Sequence, residues 1–156
     1  MSKFKIVLVA PEIPGNTGSI GRTCVALDLE LILIKPLAFD IDEKAVRRAG
    51  LDYWKHVKLK VYENWDDFME KENPNPKNIF LFSRFATKPL FHVEIKKDAY
   101  LVFGSETKGL PDSIKKPLWD QLVTLPMDSE HIRSLNLSNA ATAAAYEALR
   151  QIEYSH

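Results

Sequence analysis

The sequence has one cysteine and no long apolar run. Cys24 is the single cysteine among 156 residues, which excludes an internal disulfide and is typical of a reducing compartment. No apolar run approaches the ~20 residues that a membrane-spanning helix needs. The apolar segment at the start of the chain is interrupted by Pro11, too early for a secretory signal peptide. These features predict a cytoplasmic protein without a membrane segment.

The sequence also lacks an excess of either charge. Lys and Arg together number 21, as do Asp and Glu, so the formal net charge is zero. A chain with this balance can bind nucleic acid only through a local basic patch. The densest cluster of basic residues is interpreted first as a solvated helix face, and alternatively as a surface that faces RNA. That patch comprises Lys44, Arg47, Arg48, Lys55, His56, Lys58 and Lys60.

Several common site signatures are missing. The sequence contains neither the Gly-x-Gly-x-x-Gly pattern of dinucleotide-binding folds nor the Gly-Lys-Ser/Thr of a P-loop. Cys24 has no base near it in sequence, so core packing explains it better than nucleophilic catalysis. The histidines lack metal-ligand spacing, and no metal is expected at His56, His92, His131 or His156.

Strand and helix patterns alternate along the chain, which predicts one α/β domain, residues 1–156, with a mostly parallel sheet flanked by helices. Apolar runs predict strands at 4–10, 31–34, 78–83, 101–103 and 122–125, and an alternating pattern predicts an edge strand at 58–62. Helices are expected at 43–49, stopped by Gly50, at 65–72, at 111–121 with an interruption near Pro117, and through the Ala-rich segment after Asn136. Another helix should run from a cap at Asn16 or Thr17 to about Asp28.

Three polar loops follow predicted strands, at 11–22, 104–109 and 128–134. Ligands of open α/β sheets bind beside the carboxyl ends of strands, so the two later loops, which are close in sequence, predict one site. The first loop, followed by a helix start, is a natural anion site. Within them, Arg22 can hold a phosphate bidentately, Gly104 permits close approach of a ligand, and Glu106 can accept from a hydroxyl or amine. Ser134 and Asn136 are either catalytic or caps of the last helix. Taken singly, the first loop is explained equally well as a capped helix whose glycines serve packing, and a polar turn with an exposed acid is the better explanation of the second.

The set of loops resembles a known family. The segments EIPGNTGSIGRTC, LVFGSETKGLP and LPM…IRSLNLSNAA, in that order, resemble the three motifs of the knotted SPOUT-class RNA 2′-O-methyltransferases. The chain is most similar to the small tRNA (cytidine/uridine wobble-position)-2′-O-methyltransferases, and the segments RRAGLDYW and YEALRQ extend that resemblance over essentially the whole chain. Ser105 departs from it, because proline is expected after the glycine.

The resemblance implies a fold and partners that residue patterns alone do not. It implies a deep trefoil knot in roughly residues 78–150, although knots are nearly absent from proteins. It further implies a homodimer, S-adenosylmethionine as methyl donor without a metal, and the tRNA anticodon loop, not DNA, as substrate. Alternatives are a methyltransferase of ribosomal RNA or of a base nitrogen, and an RNA-binding module that keeps the fold without catalysis.

The resemblance also assigns roles to residues. Phe82, Gly104, Leu125 and Ser134 border the cofactor. The catalytic neighbourhood comprises Asn16, Arg22, Glu106, Ser134 and Asn136. Arg22 is a poor base because the pKa of a guanidinium lies above ~12. We therefore expect Arg22 to hold the RNA phosphate, and that phosphate or a water to take the proton of the 2′-hydroxyl.

Overall fold

A parallel sheet organises the protein. The computed structural model describes residues 3–41 and 52–155, and within them lie six strands. They are Phe4–Val9 (β1), Glu30–Ile34 (β2), Lys58–Tyr62 (β3), Ile79–Phe82 (β4), Ala99–Phe103 (β5) and Leu122–Val123 (β6). The spatial order is β3-β2-β1-β5-β4-β6, and every neighbouring pair is parallel. The predicted α/β class with a parallel sheet is confirmed.

Helices cover both faces of this sheet. They are Pro14–Leu27 (α1), Trp65–Glu72 (α2), Asp112–Lys115 (α3) and Leu137–Leu149 (α4). Phe4, Ile6 and Leu8 of β1 belong to one apolar cluster with residues of α1 and α4. Val7 and Val9 belong to a second cluster with residues of α2 and α3. Strands buried on both faces explain why most of the predicted strands read as unbroken apolar runs.

Small side chains let α4 pack closely on the sheet. Ala141, Ala144, Ala145 and Ala148 are all fully buried in the first cluster. On the α1 side, the hydroxyl of Thr142 lies 2.8 Å from that of Thr23, which joins the two helices directly. α4 therefore begins beside α1 and returns the chain from the sheet edge, at β6, to its centre.

The predicted cap of α1 is wrong. The helix begins at Pro14, where a proline fits because the first helical N–H has no intrahelical partner. Ile13 is the N-cap residue and supplies no side-chain bond. Asn16 and Thr17 are buried within the first turn. The residues that lead into this helix are held by a carboxylate from elsewhere in the fold, as described below.

Other elements match their predictions closely. The strand at Lys58–Tyr62 lies at the sheet edge, as its alternating pattern indicated, and the helix Trp65–Glu72 has the predicted bounds. The segment after α3 is a 3₁₀ helix, Lys116–Gln121, whose irregular backbone at Leu118 confirms the interruption near Pro117. β6 is shorter than predicted, because Thr124 exchanges backbone hydrogen bonds with Lys88 and Leu90 instead of extending the strand.

Some predictions fall on residues 42–51, 1–2 and 156, outside the described ranges: the helix at 43–49 with Gly50, the basic residues Lys44, Arg47 and Arg48, and His156. Among the described members of the basic patch, Lys58 pairs with Asp28 at 2.7 Å and Lys60 with Glu30 at 3.2 Å. These two lysines are therefore engaged in ion pairs within the protein.

The buried thiol confirms the expectation for Cys24. Cys24 is fully buried in the core, and burial raises the pKa of its thiol to about 12.

Residues 3–41 and 52–155 contain no helix that is both long and apolar enough to cross a membrane. Within the same residues, no three His, Cys, Asp or Glu side chains are grouped so that they could hold a metal ion.

Candidate active site

A pocket of about 620 Å³ lies at the carboxyl ends of β4, β5 and β6, beside the first turns of α1 and α4. This position is the one that the two later polar loops predicted. Its lining includes seven of the eight residues proposed from the sequence. They are Asn16, Phe82, Gly104, Glu106, Leu125, Ser134 and Asn136.

Glu106 joins the loop after β5 to the start of α1. Its carboxylate accepts from the backbone N–H of Glu12 at 2.9 Å and of Ile13 at 2.8 Å, and from the side-chain amide of Asn16 at 3.1 Å. Backbone N–H groups at a helix start lack intrahelical partners and attract negative charge. Glu106 thus fixes the two residues that lead into α1 and the Asn16 side chain in its first turn.

The same chain of contacts continues to α4. The side-chain amide of Asn136 donates to the side-chain carbonyl of Asn16 at 3.2 Å. The side-chain oxygen Oδ1 of Asn136 accepts from the backbone N–H groups of Ser138 and Asn139. Asn136 therefore caps α4, which is one of the two roles expected for it. Glu106, Asn16 and Asn136 therefore form one hydrogen-bonded row along the pocket.

Glu12 completes the connection and was missed by the sequence reasoning. Its carboxylate accepts from the backbone N–H of Thr107 at 3.1 Å and from the Thr107 hydroxyl at 2.7 Å. These two bonds, from the hydroxyl first, lower the pKa of Glu12. Each loop thus supplies a carboxylate to the other. An acidic residue immediately after a predicted strand was the available signal.

The chain itself also requires glycine at position 104. A Cβ at this position would lie 2.1 Å from the backbone carbon of Gly109 and 2.3 Å from the nitrogen of Leu110. The close approach that glycine permits is therefore made by the chain itself. Gly109 has a φ of 67°, a left-handed conformation that glycine adopts without strain, so the loop can fold back over Gly104.

Aromatic and apolar side chains form the walls of the pocket. The rings of Phe82 and Phe103 stack with centroids 4.4 Å apart and planes at 15°. Both residues end a strand, which places the pair at the pocket floor. Leu125 lines the pocket from the β6 side. Phe103 was not proposed from the sequence, where it read only as part of a buried strand.

Ser134 lies in the exposed loop between β6 and α4 and lines the pocket together with Arg133. The described lining residues include four basic side chains and one acidic one. The basic residues are Arg84, Lys108, Lys115 and Arg133, and the acidic residue is Glu106. The whole chain is neutral, so this excess of basic side chains makes the pocket a local cationic site that can hold phosphate groups.

Arg22 is the predicted site residue that the fold does not bring to this pocket. It is exposed on α1, and its guanidinium carbon lies 5.4 Å from the ring centroid of Tyr53. The Tyr53 hydroxyl in turn donates to the carbonyl of Gly18 at 2.8 Å. Arg22 is thus placed on the outer side of α1, away from Glu106 and Asn136.

An open parallel sheet with a pocket at its carboxyl strand ends places this chain among the α/β proteins whose ligand sites lie at that edge of the sheet. Residues 3–146 match the model of the SpoU rRNA Methylase family, and the chain belongs to this family. The resemblance identified from the three motifs is therefore confirmed.

Relatives and solved structures show the same similarity. The chain is 43% identical over 153 residues to the tRNA (cytidine(34)-2'-O)-methyltransferase of Saccharophagus degradans, and the match covers 97% of each protein. It is 38% identical, with a TM-score of 0.84 and 95% of each chain covered, to a structure that describes the 2-OH methylation of C/U34 on tRNA. The SpoU methyltransferase AviRb of Streptomyces viridochromogenes, solved with AdoMet, is 29% identical with a TM-score of 0.77; the match covers 97% of this chain and 58% of AviRb.

Proposed function

We propose that this protein is a tRNA 2′-O-methyltransferase that methylates the ribose of the wobble nucleotide, cytidine or uridine, in the anticodon loop. The observation that carries the proposal is the row of Glu106, Asn16 and Asn136 along a cationic pocket. Membership of the SpoU rRNA Methylase family and near full-length similarity to a tRNA (cytidine(34)-2'-O)-methyltransferase support it.

The pocket fits S-adenosylmethionine. Its volume lies within the roughly 300–1,000 Å³ of small-molecule sites, and its lining combines apolar walls with a few polar groups. Phe82, Gly104, Leu125 and Ser134 would hold the cofactor, with Phe103 beside Phe82. When bound, S-adenosylmethionine supplies a methyl group carried on a positively charged sulfur.

The protein's own groups favour loss of that positive charge. A free carboxylate beside the sulfur would stabilise the charged ground state and so slow transfer. The carboxylate of Glu106 is instead directed to the backbone N–H groups of Glu12 and Ile13 and to the side-chain amide of Asn16. Glu106 therefore positions Asn16 and Asn136, and these amides orient the ribose. The hydroxyl releases its proton to the neighbouring phosphate or to a water as it accepts the methyl group.

We further propose a homodimer, in which Arg22 of one copy reaches the pocket of the other. Arg22 is exposed and lies outside the pocket of its own chain, so a second copy can bring it to the RNA phosphate. Tyr146 of α4, 54% exposed, offers an apolar surface for such a contact. Most soluble oligomers are symmetric dimers, which would give two equivalent sites.

The proposal includes the C-terminal trefoil knot in roughly residues 78–150, a single domain over residues 1–156 and a cytoplasmic location. Support for the knot comes from the path of the chain after β6. β6 lies at the sheet edge, whereas α4 packs against α1 and the central strands, so the connecting residues return across the strand ends.

Methyl transfer to an anticodon stem-loop tests the function. Wild-type protein with S-adenosylmethionine should methylate an RNA that carries cytidine or uridine at the wobble position. It should not methylate the same RNA with one 2′-deoxy nucleotide there, because the nucleophile is missing. Undiminished transfer to the deoxy substrate would identify a base methyltransferase. Failure with tRNA but transfer to ribosomal RNA would identify the other substrate class, and cofactor binding without any transfer would identify a binding module.

Mixing two inactive variants tests the shared site. Arg22→Ala and Glu106→Ala copies should each be inactive alone. If the site uses Arg22 of one copy and Glu106 of the other, random mixing restores about one quarter of wild-type activity, because half of the dimers then hold one intact site. Absence of recovery in a mixture shown to exchange subunits would contradict the shared site.

A further inference from the structure

Phe85 is an exposed aromatic residue at the mouth of the pocket. Its side chain is 69% exposed, whereas Phe103 deeper in the same pocket is only 3% exposed. Burying a phenylalanine ring stabilises a protein, and Phe85 forgoes most of that stabilisation in the protein alone. A single exposed aromatic is not unusual by itself. The residues around Phe85, however, indicate a function for the exposed ring.

The turn that carries Phe85 is fixed by hydrogen bonds. The Ser83 hydroxyl accepts from the backbone N–H of Phe85 at 3.2 Å, and the Ser83 carbonyl accepts from that of Ala86 at 3.1 Å. Ser83 itself donates through its backbone to Val123 of β6 at 3.0 Å. The exposed ring is therefore presented by a turn anchored to the sheet.

Two cations approach this ring. The guanidinium carbon of Arg84 lies 4.4 Å from the ring centroid, and the ammonium nitrogen of Lys115 lies 5.7 Å from it. Both distances are within the ~6 Å of a cation–π contact. Arg84 extends the aromatic surface with a planar group, and Lys115 arrives from α3, where it also lies 3.6 Å from Asp112. The group therefore combines a stacking surface with positive charge.

We propose that Phe85, with Arg84 beside it, stacks a nucleobase that flanks the methylated nucleotide, while Lys115 and Arg84 hold the adjoining phosphate. The inference rests on the proposed function. Unpaired RNA bases stack on aromatic rings and guanidinium planes, and the phosphates between them need cations. Phe85 lies at the mouth of the pocket, whereas the stacked Phe82 and Phe103 lie at its floor. The proposed stacking surface is therefore separate from the residues that would hold the cofactor.

Phe85→Leu tests the platform, since leucine keeps apolar volume but removes the ring. Affinity for an anticodon stem-loop should fall roughly 5- to 100-fold, the range that loss of one stacked base produces. Affinity for S-adenosylmethionine, measured by calorimetry, and the single-turnover rate at saturating RNA should both stay close to wild type. Phe85→Trp, which keeps an aromatic ring, should retain an RNA affinity close to that of wild type. Phe91→Leu is the matched control, because Phe91 is 57% exposed but does not line the pocket.

A fluorescent base locates the contact. With 2-aminopurine on either side of the wobble nucleotide, wild type and Phe85→Trp should quench one position, and Phe85→Leu should leave it bright. Unchanged RNA affinity in Phe85→Leu, an equal loss in Phe91→Leu, or a loss of cofactor affinity that matches the loss of RNA affinity would each overturn the inference. Methyl transfer by the wild type decides the proposed function separately, because it does not depend on these comparisons.

Discussion

The side-chain amide of Asn136 donates a hydrogen bond of 3.2 Å to the side-chain carbonyl of Asn16, and this bond ties the first turn of α4 to the first turn of α1. Glu106 holds Asn16 from the other side at 3.1 Å. Three loops that are far apart in the sequence are thus fixed by a row of three side chains. The positions of Glu106, Asn16 and Asn136 in the pocket therefore depend on one another.

Asn136→Ala should lower both stability and activity. Removing an N-cap costs about 0.5–2 kcal/mol, and the loss of the bond to Asn16 should also reduce the single-turnover rate at least tenfold, because ~1 Å of misplacement can cost 10²-fold. Asn64→Ala is the matched control, since Asn64 caps α2 in the same way at 2.8 Å but lies away from the pocket. Denaturant unfolding should show similar losses in the two variants. A similar loss of rate in both would contradict a role for Asn136 in the site.

Gly104→Ala should disrupt the loop after β5. Its Cβ would lie 2.1 Å from the backbone of Gly109, and backbone cannot move aside as a flexible side chain can. We expect a loss of about 1–3 kcal/mol, typical of overpacking, together with loss of calorimetrically measured S-adenosylmethionine binding.

Gly15→Ala provides the control for that change. A Cβ at Gly15 meets no atom within 4 Å, and Gly15 lies in the first turn of α1. Alanine is the better helix former by about 1 kcal/mol, so stability should stay constant or rise. Unchanged cofactor affinity in Gly104→Ala would show that the folded-back loop does not shape the cofactor site.

The ion network around Glu72 should determine part of the acid stability. Burial alone would raise the pKa of Glu72, but hydrogen bonds from Tyr62, Tyr100 and Lys5 overcome this and lower the pKa to about 2 from an ordinary 4.5. A depressed carboxyl pKa contributes stability that is complete above pH 4.5 and is lost as the pH falls toward 2.

Glu72→Gln should therefore cost up to about 3.5 kcal/mol at pH 7, since the pKa falls from 4.5 to about 2 and each pKa unit corresponds to about 1.4 kcal/mol. Its free energy of unfolding should also vary less than that of wild type between pH 5 and 2. Glu63→Gln is the control, because Glu63 pairs with Lys35 with its side chain 73% exposed. Urea unfolding across pH measures both variants. Parallel pH curves for wild type and Glu72→Gln would contradict this assignment.

Arg22→Lys separates two roles of that residue. If Arg22 holds phosphate, the variant keeps the charge but loses the planar fork, so RNA affinity should fall by at most roughly 1–3 kcal/mol. The single-turnover rate should fall further, and its pH profile should keep the wild-type shape. If Arg22 is instead the base, the lower pKa of lysine shifts the profile to lower pH. Methylation of tRNA across pH 6–10 distinguishes the two outcomes.

Much of the architecture followed from sequence alone. Apolar runs ended by Gly, Pro or Asn marked the strands, and the α/β class and the edge position of Lys58–Tyr62 followed from their patterns. These signals are local, because burial on one or both faces leaves a periodicity that a short window contains. The resemblance to a known family named eight site residues, and seven of them line one pocket in the structure.

Only the tertiary structure decided how those residues act on one another. Glu106 holds Ile13, just before α1, through a contact that spans 93 residues, and Asn136 meets Asn16 across 120. The direction of the missing Cβ at Gly104, the two cations at Phe85 and the outward position of Arg22 likewise depend on how the chain folds back. The physical reason is that strand order and loop packing are set by contacts between distant segments, which no local pattern of residues encodes.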